Sequence, residues 1–249
     1  MVIVVAVAAT LFYVSRKLPN VGADTARLEL VHLSQTVEKE VREAAYQLQH
    51  QLDGLGDVIS ADRDFAMKLL VEKDSMANEV RETAPRFIQV MGLDLLEITD
   101  AQNTVLSSGH FSAGAGAMSE VTLEKLGADQ SAILMQYLRG DSVLTFQVRE
   151  RFECAGVPFY ATGGYIVDEE FLDRISPAGS ARLLLNHDKV VIGMSGIETI
   201  SEIKDGHMII NDISYLASEV PFPDIVNGGP VKLVLIMDKP GSLSWTSLL

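Results

Sequence analysis

Cysteine occurs once, at Cys154, in a chain of 249 residues. A single thiol excludes an internal disulfide, so a life outside the cytoplasm would rest on the hydrophobic core alone, which a chain of this length can supply. Basic residues are scarce: 20 Lys and Arg stand against 34 Asp and Glu, for a net charge of −14. That balance excludes a broad nucleic-acid surface and disfavours docking on anionic lipid headgroups. Catalytic signatures are missing too. There is no G-x-S-x-G, no H-E-x-x-H and no G-x-G-x-x-G, and the five histidines (32, 50, 110, 187 and 207) are too widely spread for a metal site. The sequence thus implies no cofactor and no enzymatic activity.

What is present is an order: an apolar run, a charged rod, then an acidic globule. Residues 1–14 (MVIVVAVAATLFYV) reach about 21 Å as a helix, short of the ~30 Å hydrocarbon core of a bilayer. No basic residue precedes them, so the start of a signal peptide is not seen. Three readings stay open: a marginal anchor, a membrane helix whose front lies before Met1, and a buried core helix. The second is favoured, as a partial transmembrane helix over 1–18. Arg16 and Lys17 lie on the wrong side of it for the positive-inside rule.

Over 24–56, Leu30, Leu33, Val37, Val41, Ala44, Leu48, Leu52 and Leu55 recur in steps of three and four, the seam of a long helix. Asp24 is a candidate N-cap, Pro19 and Gly22 are candidate interruptions, and Gly54 and Gly56 are the expected end. The seam has two uses, packing on its own domain or joining a homodimer through 24–56. A second helical stretch covers 62–90, with Pro85 kinking it or starting its last piece.

From 93 the period changes to two. Strands are expected over 93–99 and 104–108, around the turn Asp100–Ala101–Gln102–Asn103, and a flexible loop over 109–117. Residues 119–138 read as one or two helices broken near Gly127. A long hairpin pairs 142–152 with 157–167 about Cys154–Ala155–Gly156, and Gly163–Gly164 inside it suggests a bulge or a close backbone approach. Asp168 caps a short helix, and strands follow over 181–186, 189–193, 208–211, 215–220 and 231–238. The expected fold class is α+β: a long N-terminal helix packed on antiparallel sheets. The divisions are 57–178 for a first lobe, 179–241 for a second strand-rich lobe, and 242–249 for the start of an exit helix.

The stretch Gly92–Leu93–Asp94–Leu95–Leu96–Glu97–Ile98–Thr99–Asp100, continued by Thr104–Val105–Leu106–Ser107–Ser108–Gly109–His110–Phe111, resembles bacterial extracytoplasmic sensor domains of the Cache type, which are PAS-like. Tyr160–Ala161–Thr162–Gly163–Gly164–Tyr165–Ile166–Val167–Asp168, with Glu169–Glu170–Phe171–Leu172, looks like the second hairpin and capping helix of the same proteins. The likeness in layout covers about 24–240. It implies a module that senses a small-molecule ligand outside the inner membrane and is flanked in its parent by two transmembrane helices. The parent it implies is a histidine kinase. The same sensor on a chemoreceptor or a cyclic-dinucleotide enzyme, or a membrane-tethered scaffold, are the alternatives. The scatter of Tyr, Arg, Trp and Asp that amino-acid receptors of this type use does not map onto the chain, whose one tryptophan, Trp245, lies in the tail.

Candidate ligand-binding residues are His110, Arg149, Arg151 and Tyr160. Arg149 and Arg151 share one face of a strand, and Tyr160 stands on its partner, so a guanidinium and a phenol can converge on a carboxylate. The plain alternative leaves both arginines in solvent, balancing Glu150 and Glu153. For His110 it is a loop histidine satisfied by backbone.

Overall fold

In a computed structural model, the described residues are 2–71, 78–121, 126, 131–138, 140–179, 181–187, 190–222, 225–226 and 231–238. The side chains of 2–24 are left aside. The chain opens with helix α1, Val2–Ala61. It runs unbroken through Pro19, Gly22 and Asp24 and past Gly54 and Gly56, so neither the expected start nor the expected stop is observed. At Gly54 and Gly56 the reason lies in packing. The predicted seam is consumed within the chain, with Leu30, Val37, Val41, Leu48, Leu52 and Leu55 all buried, and Ile59 buried one turn further on. That burial outweighs the ~1 kcal/mol that each helical glycine costs. The buried positions of this seam are thus already packed within the chain, with Leu33 and Ala44 half-buried. Among the described residues no helix is long and apolar enough to cross a membrane.

Two compact units share α1. One contains the helix to Lys39, residues 176–221, and the chain from 232; the other contains 40–175 and 222–231.

In the larger unit, the stretch expected to be helical holds α2 (Arg63–Val71), α3 (Asn78–Arg81) and α4 (Thr83–Met91), with a turn at Glu82 and Pro85 in the first turn of α4; 72–77 lie outside the described residues. Gly92 ends α4 at φ 64°, and the Leu93 N–H returns to the Ile88 carbonyl at 3.0 Å. Strands β1 (Leu95–Asp100), β2 (Val105–Ser108), β3 (Ser131–Leu138), β4 (Asp141–Cys154), β5 (Val157–Ile166) and β10 (Ile225–Val226) form a sheet in the order β10-β3-β4-β5-β1-β2. The β4–β5 hairpin turns on Ala155 and Gly156, both at positive φ. Helix α5 (Glu169–Ile175) follows, capped by Asp168 Oδ1, which accepts from the Phe171 N–H at 2.9 Å.

One expectation is corrected here: 131–138 is a strand, not helix. Ala, Leu, Met and Gln favour a helix locally, but pairing on both edges, with β4 and with β10, decides the outcome. The rest of that stretch, 122–125 and 127–130, lies outside the described residues.

Helix α1 covers one face of the sheet. A Cβ on Gly163 would stand 2.9 Å from Leu52 Cδ2, and one on Gly56 would stand 2.6 Å from Phe152 Cβ. The Gly163–Gly164 pair is thus a close approach, and the register runs through it without a bulge. The opposite face carries Glu97, Thr99, Thr145, Gln147, Arg149, Tyr160 and Thr162, because these positions pair across β1, β5 and β4 at the two-residue period.

The smaller unit holds β6 (Arg182–His187), β7 (Val190–Ile192), β8 (His207–Ile210), β9 (Ile213–Val220) and β11 (Lys232–Asp238), in the order β7-β6-β11-β9-β8. Leu184, Met208, Ile210, Tyr215, Ala217, Val234 and Ile236 make a core, against which Met194, Ile197, Ile200 and Ile203 pack. From α1, Arg27 Nη2 donates to the Asp205 carbonyl at 2.9 Å. The helix expected over 242–249 lies outside the described residues.

Candidate functional site

The sheet face turned away from α1 bears a polar row that no solvation explains. Register places Ser108, Glu97, Thr162 and Arg149 side by side across β2, β1, β5 and β4. Arg149 is only 3% exposed, as is Thr162.

Arg149 is held from several sides. Nη1 donates to Asn103 Oδ1 at 2.7 Å and to the Val121 carbonyl, and Nη2 donates to Thr99 Oγ1 at 3.0 Å. The guanidinium carbon lies 4.3 Å from the centroid of the Tyr160 ring, a cation–π distance. Burial pulls its pKa below the usual arginine value, and the nearby Tyr160 and Glu97 oppose the change. Its Nε has no hydrogen-bond partner, nor does the Thr162 Oγ1 opposite it on β5. Buried polar atoms are almost always paired, so two orphans in one row call for a cause.

Glu97 and His110 form the neighbouring pole. Ser119 Oγ donates to Glu97 Oε2 at 2.8 Å, and His110 Nε2 stands 3.6 Å from Glu97 Oε1. Burial raises the Glu97 carboxyl above its ordinary value. Burial also holds the His110 imidazole down at about 4. His110 is therefore neutral at pH 7, and its contact with Glu97 is not a salt bridge there.

The hairpin turn and the segment after the 109–117 loop roof this row. Asp100 Oδ1 accepts from the Gln102 and Thr104 N–H groups and shapes the turn that carries Asn103. Asn103 Nδ2 donates to the Ser119 carbonyl at 2.9 Å, and the Ser119 N–H donates to the Asn103 carbonyl at 2.9 Å. The 109–117 loop, expected to be flexible, is tied to β2: the Val105 N–H donates to Ala117, and the Gly116 N–H donates to Val105.

Of the four candidate residues, three converge. Arg149 and Tyr160 stack, and His110 meets Glu97 beside them. Arg151 is exposed and pairs with Glu153, as the plain alternative has it. Glu97, Thr99, Asn103, Ser119 and Thr162 were missed. Only Glu97 carries a signal in the sequence, a carboxylate inside the apolar strand LLEIT. Elsewhere, Ser201 and Lys204 have S-x-x-K spacing, but Ser201 Oγ accepts from the Ile209 N–H at 2.9 Å and braces a loop. Among the described residues no group of His, Cys, Asp and Glu suits a metal ion.

A long N-terminal helix with two largely antiparallel sheets is a fold that this chain shares with solved sensor domains. The periplasmic domain of Vibrio cholerae LuxQ superposes with a TM-score of 0.51 at 16% identity, covering 84% of this chain and 99% of that one. The sensor domain of the V. cholerae histidine kinase DctB gives 0.54 at 10% identity, covering 86% and 99%. The sensory domain of the Campylobacter jejuni chemoreceptor Tlp3, solved with isoleucine bound, gives 0.54 at 10% identity, covering 89% and 96%. At such identities the likeness establishes the fold. No family model and no protein of curated function matches the sequence.

Proposed function

We propose that this chain is the extracytoplasmic ligand-sensing domain of a transmembrane signalling receptor, with a two-component histidine kinase as its parent. The observation that carries this reading is Arg149, a buried cation on the sheet face turned away from α1, with one nitrogen unpartnered. Such a group suits the carboxylate of a small ligand, with Tyr160 beneath the guanidinium and His110 and Glu97 alongside. Amino acids enter the list of ligands because Tlp3, of like fold, was solved with isoleucine. The globule would lie in the periplasm, and the parent would be anchored in the inner membrane through 1–18 and a second span. A homodimer through α1 would use the face opposite the buried seam, where Leu28, Val31 and Tyr46 are exposed. A ligand shifts such a receptor only by its difference in affinity for two arrangements, typically ~1–3 kcal/mol of coupling.

The test is a thermal-shift screen of the full chain with carboxylates, amino acids and amines. A ligand at a hundredfold its Kd stabilises the folded state by about 2.7 kcal/mol. The response should belong to carboxylate-bearing compounds and vanish in Arg149→Met. A flat response across all three classes, together with tight capture of a partner protein through 24–56, would favour the scaffold reading instead.

A further inference from the structure

We infer that Thr162 and Arg149 together form a two-point seat for one carboxylate, with Asn103 and the Val121 carbonyl as positioning groups. The inference rests on the reading of this face as the ligand site and adds the residues that define it. In a guanidinium, Nη2 lies on the same side as the Nε–H, and Nη1 lies on the other. The chain's own acceptors crowd the Nη1 side: Asn103 Oδ1 and the Val121 carbonyl both take their hydrogens there. Nη2 is used once, by Thr99 Oγ1, and Nε is not used at all. The edge formed by Nε and Nη2 is therefore the one left for a forked, bidentate acceptor.

Thr162 is the direct cross-strand neighbour of Arg149, which puts their Cβ atoms about 5 Å apart. Its hydroxyl is buried with no partner, an arrangement that costs stability unless something completes it. Thr145, two rows along the same face of β4, shows the contrast. It too is buried, but its hydroxyl donates to the Leu134 carbonyl at 3.0 Å and accepts from Gln147 at 2.7 Å. A carboxylate that takes Nε–H and Nη2–H with one oxygen each can accept the Thr162 O–H as a third bond. Asn103 touches no ligand in this arrangement. It holds the Nη1 side of the guanidinium and so leaves the Nε–Nη2 edge open.

The test uses sodium acetate as the probe on the full chain at constant ionic strength, read by the Arg149 Nε–H resonance where that arginine is present and by the acetate-dependent melting temperature in every variant. Three proteins are compared: wild type, Thr162→Val and Arg149→Lys. Thr162→Val keeps the shape and removes only the hydroxyl. It should raise the melting temperature of the acetate-free protein by one to three degrees and weaken acetate by about tenfold. Arg149→Lys should lose acetate altogether. An unchanged acetate affinity in Thr162→Val, or a lower melting temperature, overturns the seat while leaving Arg149 as the ligand's anchor. If acetate moves the Nε–H of the wild type at no concentration, the seat and the reading of the site both fall.

Discussion

Single groups in the polar row set how the protein answers to pH. His110 is held at about 4 by burial, well under the ordinary 6.5. Between those values the unfolded chain takes a proton that the folded chain refuses. This group therefore contributes stability above pH 6.5 that is lost as the pH falls toward 4, on the order of 3 kcal/mol. Glu97 works the other way: burial raises its folded pKa, so its contribution is present at low pH and fades as the pH rises through that raised value. Urea midpoints at pH 7.5 and pH 5 separate the two. Wild type should lose more stability on acidification than His110→Gln, and equal losses would sink the assignment. None of this was legible from residue types. His110 and Arg149 could be nominated because each stands in a suggestive place in the sequence. Thr162 and Asn103 look like any strand threonine and any turn asparagine until the register and the turn set them beside Arg149.

At the scale of elements, period-two patterns were read well because alternation reports burial directly: β1, β2, β4, β5, β9 and β11 all lie where alternation or apolar runs put them. Helix ends were read poorly, since glycine is a weak stop when the next turn finds a core. Gly54 and Gly56 make the point and give a test. A Cβ on Gly54 would meet nothing within 4 Å, so Gly54→Ala should stabilise the protein by about 0.5–1 kcal/mol through helix propensity alone. A Cβ on Gly56 would press on Phe152 Cβ at 2.6 Å, and Gly56→Ala should cost about 1–3 kcal/mol through overpacking. Chemical denaturation of the pair decides it; effects of the same sign would mean that the helix does not approach β4 as described. The error at β3 has the opposite origin: there local helix propensity was trusted, and two strand partners overruled it.

For the molecule as a whole, the two units differ in what they bury. The face of the smaller unit's sheet that meets Met194, Ile197, Ile200 and Ile203 is an apolar core, whereas the face of the larger unit's sheet turned away from α1 buries Arg149, Thr162, Gln147 and Thr145. Specific recognition needs a few placed polar groups, so the ligand site we propose lies in the larger unit. The units share α1, which changes from one to the other at Lys39 and Glu40. Lys39 is exposed, so Lys39→Pro leaves both cores intact while interrupting the helix at the boundary, at a cost of about 3 kcal/mol. Scanning calorimetry should then show two transitions in place of one, with acetate raising only that of the larger unit. A single transition that acetate moves as a whole would mean that the units do not depend on this helix for their coupling.

Composition and periodicity alone settled the class of this protein: acidic, without disulfide or metal spacing, a long amphipathic helix followed by hairpins. Those features follow from local chemistry, since one residue type every two or every 3.6 positions suffices to mark a buried face. What the apolar seam is for, and where the chemistry lies, came only from tertiary structure. The seam residues are the same whether they face a second chain or their own sheet, and it is the sheet's glycines and small residues, far off in sequence, that draw them inward. Likewise a guanidinium from β4, a hydroxyl from β5, an amide from a turn and a carbonyl from a loop meet only when strand register and the turn bring together positions 13 to 59 residues apart. No single segment carries that information.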